Sequence, residues 1–341
     1  MAGGNGNGFV PVSGEDFVMD GRSTWRAMHD PRVPRHRELT AAIRGALACS
    51  VLCVMTTTGV ARELTPRTYW PAPKGIKVAV IGYAYAQGDI FFDPSIPLYG
   101  VNSEVNLAVA GYLQTVSLWG RTTNFKIELP YQWSTTQGIL VDTPAKGSVS
   151  GLGDLGVTLT VNLLGAPTMT PKDFQAMRKQ PRPILGASLK VVAPTGKYDP
   201  DRLLNVGGNR WALKAELGGI IPLRPRWLVE LDAGVWFLGD DRDFIAGYRE
   251  QEPIFAGQLH LVRRFKPGFW AAFDFTYFTG GRQTIAGREL VDVQRNSRVG
   301  GTLVVPFKRR HAIKIGFATG IFTEFGTDFD QFFVSYQRLF R

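Results

Sequence analysis

Residues 155–163 read Leu155-Gly156-Val157-Thr158-Leu159-Thr160-Val161-Asn162-Leu163, with an aliphatic side chain at every odd position and glycine or a polar side chain at every even one. Side chains of a β-strand alternate between its two faces, so this stretch is a strand with one greasy and one wet surface. The same rule organises Phe125, Ile127, Leu129, Tyr131 and Trp133 against Lys126, Glu128 and Gln132. It returns in Trp227, Val229, Leu231, Ala233 and Val235 against Glu230 and Asp232. A polar face that recurs strand after strand suits an all-β, antiparallel transmembrane barrel with lipid outside and a hydrated interior.

Working outward, the pattern predicts twelve strands, at 76–86, 103–118, 124–134, 154–164, 184–194, 209–221, 227–237, 254–265, 268–279, 293–307, 311–322 and 330–340. An even number fits a bacterial single-chain barrel, and each strand matches or exceeds the roughly 9 to 11 residues that cross a bilayer at a tilt. In the second strand the alternation slips between Val109 and Val116, which predicts a β-bulge near Gly111. Connections alternate in length, with long ones at 87–102, 135–153, 195–208 and 239–253 expected outside and tight turns at Gly120, 222–226, 266–267 and 308–310 expected in the periplasm. Thr170-Pro171-Lys172-Asp173 reads as a capping box opening a short periplasmic helix that Pro181 ends. Trp119, Trp133, Trp211, Trp227, Trp236 and Trp270 lie near strand ends, where barrels carry aromatic girdles, the alternative being tryptophans scattered through a core. A soluble lipid-binding barrel alternates too, but it is much shorter and lacks this girdle.

The N-terminal region reads as an export signal. Arg32, Arg35, Arg37 and Arg44 precede the apolar run 45–55, and Gly59-Val60-Ala61 offers the small residues a signal peptidase needs. Residues 1–61 are thus expected as extension and signal, with either Met28 as the start or an unusually long signal, 62–74 as a periplasmic lead-in and 75–341 as the barrel. Cys49 follows Ala46-Leu47-Ala48, but too few apolar residues separate it from Arg44 for a lipoprotein signal core. Both cysteines, Cys49 and Cys53, fall in the export segment, so disulfide and thiol chemistry leave with it. Without the six basic and five acidic residues of that segment the formal charge is +9, which suits acidic lipid headgroups or anionic solutes but is ordinarily a solvated surface charge, and an exported chain does not meet nucleic acid.

Three further motifs occur in order: Gly153-Asp154-Leu155-Gly156, Val191-Val192-Ala193-Pro194-Thr195-Gly196-Lys197-Tyr198-Asp199, and Asn205-Val206-Gly207-Gly208-Asn209-Arg210-Trp211. With Leu129-Pro130-Tyr131 they resemble the MetA-pathway of phenol degradation family of bacterial outer-membrane proteins across nearly all of 75–341. The resemblance implies a Gram-negative outer-membrane barrel assigned to transport of aromatic compounds, and it carries over no catalytic residue. Phe332, Val334, Tyr336 and Phe340 on the last strand fit a signal for the barrel assembly machinery, although Arg338 interrupts that face and Arg341 follows it.

Chemistry elsewhere is weakly supported. Gly151-Leu152-Gly153-Asp154-Leu155-Gly156 matches G-x-G-x-x-G, but a strand follows where a nucleotide site needs a helix. Pro194-Thr195-Gly196-Lys197 lacks the first glycine of a P-loop and reads as a turn. His260 and His311 have no Cys or His at ligand spacing, so neither a metal nor another cofactor is called for. A membrane lipase needs Ser and His facing lipid, yet His260 shares the polar face with Gln258.

By parity the lumen-lining candidates are Lys126, Glu128, Asp154, Lys190, Arg210, Lys214, Glu216, Glu230, Asp232, His260, Asp274, Arg298 and Lys314. Their signs nearly balance, so the same residues suit a pore lining or a closed polar network. A turn centred near Leu223 would set Lys214 opposite Asp232, and a shift of two residues would set it opposite Glu230. The sequence therefore predicts a channel or transporter for small aromatic or hydrophobic solutes, not an enzyme, with outer-membrane lipid and a small-molecule solute as partners. The alternative is a non-conducting barrel whose outer loops bind a partner or surface component.

Overall fold

The structure, a computed structural model, describes residues 65–93, 98–202, 204–308 and 310–340. The expected export segment, its cleavage point and both cysteines lie outside the described residues. In chain order the elements are β1 (Lys77–Phe91), β2 (Leu98–Leu118), β3 (Arg121–Leu140), β4 (Thr143–Leu152), β5 (Leu155–Leu164), helix α1 (Pro171–Lys179), β6 (Ile184–Ala193), β7 (Ala212–Arg224) and β8 (Trp227–Leu238). They continue as β9 (Arg249–Gln251), β10 (Ile254–Lys266), β11 (Phe269–Gly280), β12 (Gln283–Ile285), β13 (Arg288–Glu289), β14 (Gln294–Phe307), β15 (His311–Phe322) and β16 (Gly326–Phe340).

Twelve of these strands form a closed antiparallel barrel. Each of the twelve pairs with a neighbour on both sides, and β16 returns to β1 from Lys77↔Phe340 to Phe91↔Gly326, which closes the barrel, while β4 pairs with β3 alone. Large apolar side chains stand on the lipid face, with Leu217 of β7 58% and Phe273 of β11 55% exposed. Helix α1 sits between β5 and β6 on the side of the barrel where the chain enters. Its capping box is complete: the Asp173 amide donates to Thr170 Oγ1 at 3.3 Å and the Thr170 amide to Asp173 Oδ2 at 2.9 Å. Those bonds hold the Asp173 carboxyl below its ordinary value.

Four expectations change. The connection 135–153 is a β-hairpin, because β3 runs on to Leu140 and β4 returns along it through Val141 and Asp142, both at positive φ. Positive φ at both central residues is the twist that two-residue hairpin turns require. The bulge expected near Gly111 is absent: Gly111 faces Val80 on one side and Glu128 on the other in unbroken register. The alternation only seemed to slip, because the inward face of β2 is itself apolar. Trp236 and Trp270 are not girdle residues. They take the inward parity of β8 and β11 and are buried. Finally, β7 extends through Pro222 to Arg224, with its irregularity there, so the turn lies at Pro225–Arg226. Lys214 therefore faces Trp236, and Asp232 faces Gly218.

Candidate functional site

The lumen has an unequal lining. On β1 and β2 the inward positions are small and apolar, including Val78, Val80 and Ala84 opposite Leu113, Gly111 and Leu107. On β7, β8, β10 and β11 the inward positions carry Lys214, Glu216, Glu230, Asp232, His260 and Asp274, all buried. Both walls follow the same period-2 rule and differ in what the inward positions hold.

A cavity of 1360 Å³ occupies the lumen beside the apolar wall. It runs from Lys308 and Arg310 at the periplasmic rim to Ala84, Leu107 and Asp154. Above it the apolar lining continues into a cluster in which Ile90, Val101, Val105 and Phe329 of the barrel meet Phe244, Ile285 and Leu290 from the outer connections. The apolar surface of β1 and β2 thus leads from the periplasmic rim toward the outer connections, interrupted by the buried Ser103.

The lead-in folds into the barrel. Tyr69 and Trp70 are buried in one apolar cluster with Met177 of α1 and with Ile220, Leu228 and Val262. Gly186 and Gly218 face each other across β6 and β7, and their missing side chains make the floor for the Tyr69 ring. A Cβ on Gly218 would stand 1.9 Å from the ring. The Tyr69 hydroxyl donates to Glu216 Oε1 at 2.9 Å, and the Arg67 amide donates to Glu230. The Arg67 guanidinium lies 4.5 Å from the Trp70 ring and 5.1 Å from that of Trp270. Burial lowers its pKa to about 10, so it stays charged at neutral pH. Sequence reading missed this latch. The signal was the pair of inward glycines at equivalent heights on adjacent strands.

The thirteen candidates separate into groups. Lys126, Glu128, Lys190, Lys214, Glu216 and Lys314 line the cavity, where Lys126 and Lys190 both pair with Glu128 and Lys214 pairs with Glu216. Glu230, His260 and Asp274 stand in one row across β8, β10 and β11. His260 Nδ1 bonds Asp274 Oδ1 at 2.7 Å, Thr302 Oγ1 donates to Asp274 Oδ2 at 2.8 Å, and Asp232 lies 3.8 Å from His260 Nε2. Arg210 donates to Gln251 Oε1 at 2.6 Å, and Arg298 to the Phe329 carbonyl at 2.7 Å.

Asp154 also reaches the cavity, but backbone amides hold it, whereas side-chain ammonium groups hold Glu128 and Glu216. It accepts the Gly196 amide at 2.8 Å and the Gly208 amide at 2.7 Å, tying the three glycine-bearing motifs into one knot. A Cβ on Gly196 would lie 2.8 Å from both Gly153 and Gly207. The knot sits where β5 gives way to β4, which pairs with β3, while the Leu155↔Ala193 pair ends the ladder to β6. The Lys197 amide bonds the Leu152 carbonyl there, and the Lys197 ammonium bonds the Ser150 carbonyl, so the loop closes what the sheet leaves open. Further out, Tyr198 and Asn209 both donate to Asp241, which also holds the buried Arg249 at 3.1 Å. Burial and the Asp241 carboxylate push the Tyr198 hydroxyl up.

Fold and lumen together define a twelve-stranded outer-membrane β-barrel. The chain belongs to the family described as Putative MetA-pathway of phenol degradation, which matches residues 93–328. Among solved structures it is similar to the COG4313 outer membrane channel from Pseudomonas putida F1, with 22% identity and a TM-score of 0.68, covering 82% of this chain and 100% of that one. It is more distantly similar to the transport unit of the autotransporter AIDA-I from Escherichia coli, with 9% identity and a TM-score of 0.47, covering 83% and 95%. A comparison with curated proteins finds no match.

Proposed function

We propose that this barrel is an outer-membrane channel for small aromatic or hydrophobic molecules. The observation that carries the reading is the apolar wall of β1 and β2, which flanks a 1360 Å³ cavity and continues into the apolar cluster under the outer loops. Water-filled pores for polar solutes need polar walls, because a hydrated solute loses hydrogen bonds against an apolar one. An apolar solute gains by leaving water along such a wall, at roughly 25 cal/mol per Å² buried. The family's description, which names phenol degradation, supports the same solute class.

The test is uptake. Cells lacking the protein should take up phenol more slowly at low external concentration, and the intact gene should restore the rate. Unchanged uptake, together with no conductance of the purified barrel in a planar bilayer, would favour a closed barrel that acts through its outer loops. The apolar cluster that the outer connections form with β1, β2 and β16 gives that second reading its footing.

A further inference from the structure

The apolar wall is bracketed by cations. Leu113 pairs with Lys126 of β3, while Gly82 pairs with Ser335 of β16, which in turn pairs with Lys314 of β15. Lys126 and Lys190 share one carboxylate, Glu128, and Lys190 Nζ lies 2.7 Å from its Oε1. Lys314 has no ion-pair partner among the described residues. Its ammonium stands 5.3 Å from the Phe333 ring and feels the attraction of the Asp274 carboxylate and, more weakly, the repulsion of Lys126. Lys214 and Glu216 neutralise each other. The cavity lining as a whole is basic, with twelve Lys or Arg side chains against Glu128, Asp154 and Glu216.

Like charges gathered inside a barrel raise its free energy unless something negative sits between them. A neutral hydrocarbon does not answer that charge, and a bare inorganic anion leaves the adjoining apolar wall against water. We propose that the cavity binds amphipathic organic acids, with the carboxylate held by Lys126, Lys190 and Lys314 and the apolar body laid along Val80, Val109 and Leu113. The inference rests on the channel reading for its apolar half and adds the acidic head to the solute class. Direct ammonium–carboxylate bonds are the strong kind, and the lumen screens them less than bulk solvent does.

The test is calorimetry on the full-length protein in lipid nanodiscs at pH 7, with empty nanodiscs as the blank. The probes are benzoate, benzyl alcohol and acetate. Benzoate should bind at least about tenfold more tightly than benzyl alcohol, because one charge-assisted contact is worth that factor. Acetate, which has the head without the body, should bind more weakly than benzoate. The double variant Lys126→Gln, Lys314→Gln should lose the preference for benzoate while its affinity for benzyl alcohol stays within about twofold. Heat-modifiable migration on gels shows that the variant is an assembled barrel. Should it fail to assemble, Lys314→Gln alone carries the test, since no ion pair is broken there.

Equal affinities for benzoate and benzyl alcohol, or an unchanged preference in the variant, overturn the proposal. In that outcome retained binding of benzyl alcohol leaves the channel reading standing. Acetate binding as tightly as benzoate overturns it in favour of a plain anion site. If neither aromatic binds, the proposal and the channel reading fail together.

Discussion

The wall built by β1 and β2 and the wall built by β8, β10 and β11 face the same lumen with the same strand geometry, yet they have opposite chemistry. The first offers Val78, Val80, Ala84, Leu107, Val109 and Leu113 to the cavity. The second sets Glu230, Asp232, His260 and Asp274, with Thr302 of the adjoining β14, into a buried network beneath the lead-in. A buried polar network fixes its members, since each hydrogen bond lost inside a low-dielectric site exposes a costly orphan. An apolar wall makes no directional demand, so a solute slides along it without breaking anything. On the proposed function, one side of the barrel is therefore the frame and the other the path.

That division is broken most severely from the frame. Asp274→Ala removes the partner of His260 and the acceptor of Thr302 at once. It should cost about 3 kcal/mol and lower the temperature at which the barrel unfolds on gels. A stability within about 0.5 kcal/mol of the native barrel would show that the network is not structural. Next comes Gly218→Val, which fills the floor under Tyr69. Overpacking of about 1–3 kcal/mol should release the lead-in, raise conductance and expose the bond after Arg67 to trypsin, while the barrel stays closed. Conductance and trypsin resistance equal to the native protein's would mean that the Tyr69 seat is dispensable. The smallest effect on stability belongs to the path. Val80→Ser with Val109→Ser should leave the unfolding temperature within a few degrees and slow uptake of an apolar solute severalfold, because each hydroxyl costs about 0.5–2 kcal/mol against a hydrocarbon. Uptake at the native rate would detach transport from this wall.

The strands were legible because lipid imposes a strict rule on the outer face, and residues such as Leu155, Val157 and Leu159 obey it whatever lies inside. All twelve expected strands have counterparts in the barrel, and α1 lies where Thr170 and Pro181 place it. The inner face follows no such rule. Reading it as uniformly polar turned the apolar inward run of β2 into a bulge at Gly111 and hid the apolar wall. Register was lost where local cues mislead: Pro222 looks like a turn residue but stays in β7, which carried Lys214 away from Asp232. The hairpin of β3 and β4 was hidden because its turn uses Val141 and Asp142, not Asn-Gly. Contacts between distant segments, such as Tyr69 on Gly218 or Asp154 on Gly196 and Gly208, depend on closure of the barrel, which no single stretch encodes.

The central claim is that apolar solutes travel along β1 and β2. Crystals of the barrel soaked with iodobenzene test it directly, because anomalous scattering locates the iodine without regard to the rest of the density. The account predicts iodine inside the lumen, in contact with Val80, Val109 or Leu113 and absent from the wall of His260 and Asp274. Iodine confined to the outer, lipid-facing surface, or seated against the charged wall in place of the apolar one, would contradict it.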